Sequence, residues 1–199
     1  MIATISDRQL EIIEAAGKIL TTSGVSGLTI KNVAREMKFS ESALYRHFNS
    51  KEDIIISMLE YLAQSMDERY TLAITDHHVP EAKFTTLFQS QFSFFKSNPH
   101  FVVAVFSDGL MEESQRINET ILKIMGIKIK HLAPIIEEGQ QKKVFTNALN
   151  SEEILHITMG TFRLLMFKWR VANFQFDIYK KGDKMIQSIL ILIKTKDEK

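Results

Sequence analysis

Between Thr29 and Lys51 the chain reads TIKNVAREMKFSESALYRHFNSK. Its basic side chains are Lys31, Arg35, Lys38, Arg46 and Lys51, against Glu36 and Glu41, a local net of +3. The other 176 of the 199 residues carry twenty basic and twenty-two acidic side chains, so the whole chain comes to only +1. A basic patch on an otherwise slightly acidic protein is what attraction to a phosphate backbone requires. Ser40, Glu41, Ser42 and Ala43 open a short helix, where small polar side chains allow close approach to a major groove and the helix dipole favours phosphate. Tyr45, Arg46 and His47 lie on the next turn and reach the backbone. Lys51 and Thr29 stand at helix starts, where exposed N–H groups meet phosphate oxygens. Any helical bundle also has short capped helices and surface lysines, so spacing and charge alone leave both DNA binding and a plain bundle open.

The elements that hold these residues follow from helical spacing of apolar residues almost throughout, with only three Pro and eight Gly as punctuation. Ser6 and Gln9 form a capping box for a first helix carrying Leu10, Ile13, Ala16 and Leu20, ended by Gly24 and Gly27. Thr29 caps a second with Ile30, Val33, Ala34 and Met37. Ser40 starts a third, with Leu44 and Phe48 inward. Two short helices and a tight turn make a helix-turn-helix unit. Ser50 and Asp53 start a fourth helix over about 51–70. Beyond the break at 75–80, helices are expected over about 81–97, 99–107, 111–138 (closed by Gly139), 151–174 (capped by Asn150 with Glu153) and 178–193. The fold class is all-α, with about nine helices. A three-helix DNA-binding domain is expected over 1–50, and a larger ligand-binding and dimerisation bundle over 51–199, with helix 51–70 as the link.

Composition excludes several functions. With no Cys there are no disulfides, thiolate zinc sites, Fe–S clusters or cysteine nucleophiles. No cofactor or metal is expected. There is no phosphate loop, His-Glu-x-x-His helix or nucleophile elbow, so the chain reads as no enzyme. The N-terminus lacks the order of a signal peptide, and the apolar tract 185–193 is about half the length needed to cross a bilayer. A cytoplasmic protein is expected.

Residues 8–55 resemble the N-terminal domain of TetR-type transcriptional regulators. The resemblance is carried by Ala15-Ala16, Ile19-Leu20, Gly24, Leu28-Thr29-Ile30, Val33-Ala34, Ser40, Leu44-Tyr45-Arg46-His47-Phe48 and Ser50-Lys51-Glu52-Asp53. It spans about a quarter of the chain without gaps. Two departures stand out. Met37-Lys38-Phe39-Ser40 replaces the frequent Ala-Gly-Val-Ser turn, so Lys38 must take a strained or different backbone setting while offering its charge to phosphate. Leu20 replaces the usual Phe. The resemblance implies a homodimer placing two recognition helices in successive major grooves of a near-palindromic operator. Ser40, Glu41 and Ser42 would face bases; Thr29, Tyr45, His47 and Lys51 would hold phosphates. Glu41 has two readings, acceptor from a cytosine amino group or solvated cap, and His47 is read either as a phosphate contact or as half-buried packing.

It further implies that the last two helices, 151–174 and 178–193, form the dimer interface and that the bundle binds an effector. Both helices are apolar nearly all round (Ile154, Leu155, Ile157, Met159, Phe162, Leu165, Met166; Met185, Ile186, Ile189, Leu190, Ile193). Seven of the 14 Phe fall in 84–106. Phe88, Phe92, Phe95, Met111, Met125, Met159, Phe162 and Met166 are candidate lining residues for an apolar or aromatic small molecule, with Arg116, His131, His156 and Arg163 as polar candidates to orient it. The same residues read equally as plain core. His131 and His156 are read as hydrogen-bonded residues, and His77-His78 as a solvated loop. The function expected is a repressor released from its operator by a small apolar ligand. The alternatives are a DNA-binding regulator without such a ligand and a helical enzyme with an interaction module.

Overall fold

The computed structural model describes residues 5–111 and 114–195, without the side chains of Asp108 and Met111. Residues 1–4, part of the N-terminal reading above, and the Met111 side chain therefore lie outside the described residues. Among those described, the chain forms nine helices and one further single turn: α1 (Asp7–Gly27), α2 (Ile30–Met37), α3 (Glu41–Tyr45), α4 (Lys51–Thr75), α5 (Pro80–Ser97), α6 (His100–Val105), the turn α7 (Asp108–Met111), α8 (Gln115–Gln141), α9 (Ser151–Val171) and α10 (Ile178–Ile193). One isolated bridge, Phe145 with Lys194, is the sole β pairing among them. No described helix is long and apolar enough to cross a membrane.

Helix starts follow side-chain chemistry. The Ser6 and Gln9 box is closed in both directions, and Asn150 and Glu153 repeat it at α9. The Ser50 hydroxyl accepts from the Asp53 N–H at 3.1 Å. Helix ends follow it less closely. Gly24, at φ 67°, kinks α1, which then ends at Gly27. α4 runs to Thr75, beyond the expected 70. α6 begins behind Pro99 with no side-chain cap, and ends at Val105 rather than 107. The expected helix 111–138 is two elements, α7 and α8. Gly139 does not close α8: it lies inside the helix, where a Cβ would stand 2.0 Å from the Phe145 ring. Its glycine character serves close packing, and the chain turns later through Lys143 at φ 57°. α9 stops at Val171, because Asn173 and Phe174 take positive φ and the Trp169 indole N–H donates to the Phe176 carbonyl at 2.9 Å.

The chain packs into two compact units, residues 1–64 with 98–124, and residues 65–97 with 125–199. This differs from the boundary expected at residue 50. The first unit extends past it because α1 packs on α6, where a Cβ at Gly17 would lie 2.7 Å from the His100 ring. Tyr61 of α4 stacks on Phe101, and the Arg116 guanidinium holds Glu52 at 3.1 Å and Asp53 at 3.2 Å. Ile12, Ile13, Ala16, Leu20, Val33, Leu44 and Ile54 are buried in this unit. Leu20, in place of the family's larger ring, is 1% exposed, so packing has closed over it. In the second unit α10 lies against α5 and α9, and Phe84, Phe88, Phe92, Phe145, Phe162 and Met166 are buried.

Candidate functional site

The first unit presents the Thr29–Lys51 segment as two short helices joined by a turn that is closed by backbone geometry. Thr29 Oγ1 accepts from the Asn32 N–H at 3.1 Å, and the Asn32 amide donates to the Gly27 carbonyl at 2.7 Å, fixing where α2 begins. α2 ends in Lys38 at φ 58°, ψ 38°, the left-handed setting that glycine fills in many helix ends. The Phe39 N–H then closes back on the Ala34 carbonyl at 2.8 Å, and the Arg8 guanidinium of α1 covers the Phe39 ring at 5.2 Å. A Lys18–Glu36 ion pair ties α1 to α2.

Ser40 then caps α3. Its hydroxyl accepts from the Ala43 N–H at 3.2 Å and lies 2.9 Å from the Ser42 hydroxyl. Leu44 and Phe48 are buried, so the opposite face, with Glu41, Ser42 and Tyr45, points to solvent; Tyr45 is 50% exposed. Arg46 and His47 are exposed, which removes half-buried packing as a role for His47. Thr29 and Lys38 are exposed as well, and Lys51 is half-buried at the first position of α4. The unit thus gathers all nine residues read from the sequence. Two of them, Thr29 and Ser40, have their side-chain oxygens engaged as caps. Glu41 lies in the first turn of α3, where its charge also suits the helix dipole, so both of its readings stand.

The second unit holds an aromatic cluster. Phe88 lies 5.7 Å from Phe162 between ring centroids, Phe92 5.8 Å from the same ring and Phe95 6.4 Å, while Phe84 meets Phe88 at 5.2 Å. Of the ligand candidates, Phe88, Phe92, Phe95 and Phe162 come together, Met166 is buried on α9 and Met159 is half-buried. Met125 and Arg163 are exposed. Arg116 belongs to the first unit, paired with Glu52 and Asp53. His156 is exposed, with Nδ1 3.0 Å from the Glu152 carbonyl, and His77 is half-buried with Nε2 3.1 Å from the Thr86 hydroxyl.

Sequence reasoning missed the buried polar groups around this cluster. Lys128 is buried with its ammonium 3.3 Å from the Phe162 ring centroid. Burial, and secondarily the positive Arg69, hold its pKa well below the lysine range. Gln91 is fully buried and accepts from the Tyr70 hydroxyl at 2.8 Å; burial pushes the pKa of that phenol well up. Asp67 takes His131 at 2.5 Å and Lys130 at 2.9 Å, and these hydrogen bonds hold its carboxyl below the usual range. A signal for Lys128 was present: Ile117, Ile121, Ile124, Lys128 and Ile135 share one helical stripe, so the lysine interrupts an apolar face.

A family profile described as bacterial regulatory proteins, tetR family, matches residues 12–58. A second, described as YsiA-like protein, C-terminal region, matches residues 59–193. The chain is 27% identical over 168 residues to the nucleoid occlusion factor SlmA of Shewanella halifaxensis, covering 84% of this chain and 83% of that protein. The fatty acid degradation regulator FadR from Bacillus halodurans has the same fold, with a TM-score of 0.84 at 17% identity over 93% of this chain and 95% of that one. The transcriptional regulator FadR from Bacillus subtilis, in complex with stearoyl-CoA, gives 0.80 at 18% identity over 91% and 97%. With one profile covering the capped helix-turn-helix and the other more than half of the chain, this protein belongs to the TetR family of bacterial regulatory proteins and is a DNA-binding transcriptional regulator.

Proposed function

We propose that the chain acts in the cytoplasm as a homodimeric repressor, released from its operator when a ligand with an apolar chain binds in the bundle. The observation that carries the DNA half is the outward face of α3: Glu41, Ser42 and Tyr45 exposed opposite the buried Leu44 and Phe48. In this reading Ser40, Glu41 and Ser42 meet base edges, and Thr29, Lys38, Tyr45, Arg46, His47 and Lys51 hold the phosphate backbone. Two copies serve two half-sites about 34–36 Å apart, one turn of duplex.

The pairing face is an apolar remainder. Most of the apolar side chains on α9 and α10 (Ile154, Leu155, Phe162, Met166, Ile186, Ile189, Leu190) are buried within the single chain. Ile157, Leu164, Phe167 and Val171 on α9, with Ile191 and Leu192 on α10, remain exposed. A stable pair needs roughly 1,200–2,000 Å² of total buried surface, and exposed apolar helix faces are suited to supplying it. Support for the effector comes from the Phe cluster and from the Bacillus subtilis neighbour described in complex with stearoyl-CoA. A coupling of about 1–3 kcal/mol would lower operator affinity about 5- to 150-fold.

Operator selection from random duplexes, followed by gel shift with fatty acids and acyl-CoA thioesters of graded length, tests this reading. The expected result is a near-palindromic site bound by two chains and released by at least one of these apolar-chain ligands; no duplex preference at low salt would overturn it. The similarity to a nucleoid occlusion factor favours a second reading, a DNA-bound factor without small-molecule release. Operator binding indifferent to every ligand would select that one.

A further inference from the structure

Lys128 of α8 occupies a position where the helical stripe calls for hydrocarbon. It is 5% exposed, and its ammonium lies 3.3 Å from the Phe162 ring centroid and 5.8 Å from that of Phe88. Among the described residues it has no hydrogen bond or ion pair. An ammonium out of water needs a counter-charge, and ring faces compensate it only partly. Gln91, on α5 one turn beyond Phe88, has a second unmet need. Its carbonyl oxygen takes the Tyr70 hydroxyl at 2.8 Å, while its buried Nε2 has no acceptor. The carboxylate of Asp67 is taken up by Lys130 at 2.9 Å and His131 at 2.5 Å. Arg69 adds further positive charge, its guanidinium 4.0 Å over Phe94 with Nη1 donating to the Ser90 carbonyl at 3.3 Å. Two buried donors, the Lys128 ammonium beside the Phe88 and Phe162 rings and the Gln91 amide, therefore have no acceptor among the described residues.

We propose that Lys128 and Gln91 form the head-group site of the effector, which is a free carboxylic acid with its hydrocarbon tail on Phe88, Phe92 and Phe162. The assignment rests on the reading above that the bundle takes an apolar-chain ligand. A carboxylate has acceptors alone and brings one negative charge, so it meets the ammonium and the orphaned amide together. An alcohol of equal length is uncharged at that end and leaves the ammonium uncompensated; a CoA thioester is neutral at its carbonyl and carries its phosphate charges at the far end of the CoA arm. Burial holds Lys128 well below the usual lysine pKa, and Arg69 adds to this; a carboxylate beside it restores the charged form.

Titration calorimetry of the full-length protein with laurate, 1-dodecanol and lauroyl-CoA, with operator release read in parallel, tests the head group. The wild type should bind laurate at least tenfold more tightly than dodecanol. Lys128→Met, which keeps the apolar stem, should erase that preference while leaving dodecanol affinity within twofold, and Gln91→Leu should reduce it. Equal binding of acid and alcohol by the wild type, a result that needs no variant, would overturn the proposal, as would a preference surviving in Lys128→Met. Release by lauroyl-CoA with laurate inert overturns the head-group assignment and leaves effector-controlled repression standing. If no twelve-carbon compound binds or releases the operator, both fall.

Discussion

Lys51 and Ser42 separate two kinds of contact with DNA. Lys51 opens α4, where charge acts on phosphate whatever the sequence; Ser42 is exposed on α3, on the face assigned to bases. Lys51→Ala should weaken binding to all duplexes alike and lower the salt slope by about one, whereas Ser42→Ala should change which sequences are preferred, typically by about 1–3 kcal/mol per altered base contact. Fluorescence anisotropy across a salt series, with operator and scrambled duplexes, measures both. His100 gives a different kind of prediction. Packed over Gly17, it is held neutral by burial, its pKa lowered to about 4 from 6.5. The unfolded chain takes up this proton as pH falls through 6.5 and the folded one only near 4, so stability falls between those values and levels off below them. The whole step is at most about 3 kcal/mol, and nearer 2 for a ring that keeps some solvent contact. Urea midpoints of wild type and His100→Gln at pH 7 and pH 5 should differ in their pH response by the part of this step above pH 5, a little over half of it; parallel responses would show that the ring does not carry it.

Close approach of helices is set by absent side chains. A Cβ at Gly182 of α10 would lie 2.4 Å from the Phe92 ring of α5, so Gly182→Ala should cost about 1–3 kcal/mol, read as a lower urea midpoint with unchanged m-value. The sequence made helix starts legible, because Ser6, Thr29, Ser40, Ser50 and Asn150 cap through local hydrogen bonds that need no tertiary partner. Ends were less so. α2 turns at Lys38 and the chain past α8 turns at Lys143, both in left-handed settings where a glycine would be expected, while the actual Gly139 serves packing under Phe145. Tertiary contacts decide those cases. The same holds for the candidate sites: the residues of α2 and α3 are local in sequence, so spacing alone brings them onto neighbouring short helices. Arg116 was misplaced because its partners, Glu52 and Asp53, lie more than sixty residues away. Lys128 was passed over because a lone lysine in an apolar stripe reads as a surface group until its burial is known.

At the scale of the whole molecule, the exposed apolar side chains of α9 and α10 should decide how many chains assemble. Leu164→Glu together with Ile191→Glu places charge at positions 52% and 73% exposed, so the single chain should keep its melting temperature within a few degrees. Sedimentation equilibrium should show the wild type as a pair and the double variant as single chains with operator affinity down at least a hundredfold. A wild type that is already single would remove the pairing face. The first compact unit is stitched from two separated stretches of polypeptide, 1–64 and 98–124, while α4 and α8 each donate residues to both units. Anyone grafting a foreign DNA-reading head onto this scaffold, or expressing the native head by itself, therefore cannot cut the gene once near codon 50. A fragment ending there would lose the ring covering Gly17, and one extended to residue 64 would still lack the guanidinium that grips Glu52 and Asp53, so a working chimera must carry its matching downstream insert along with it.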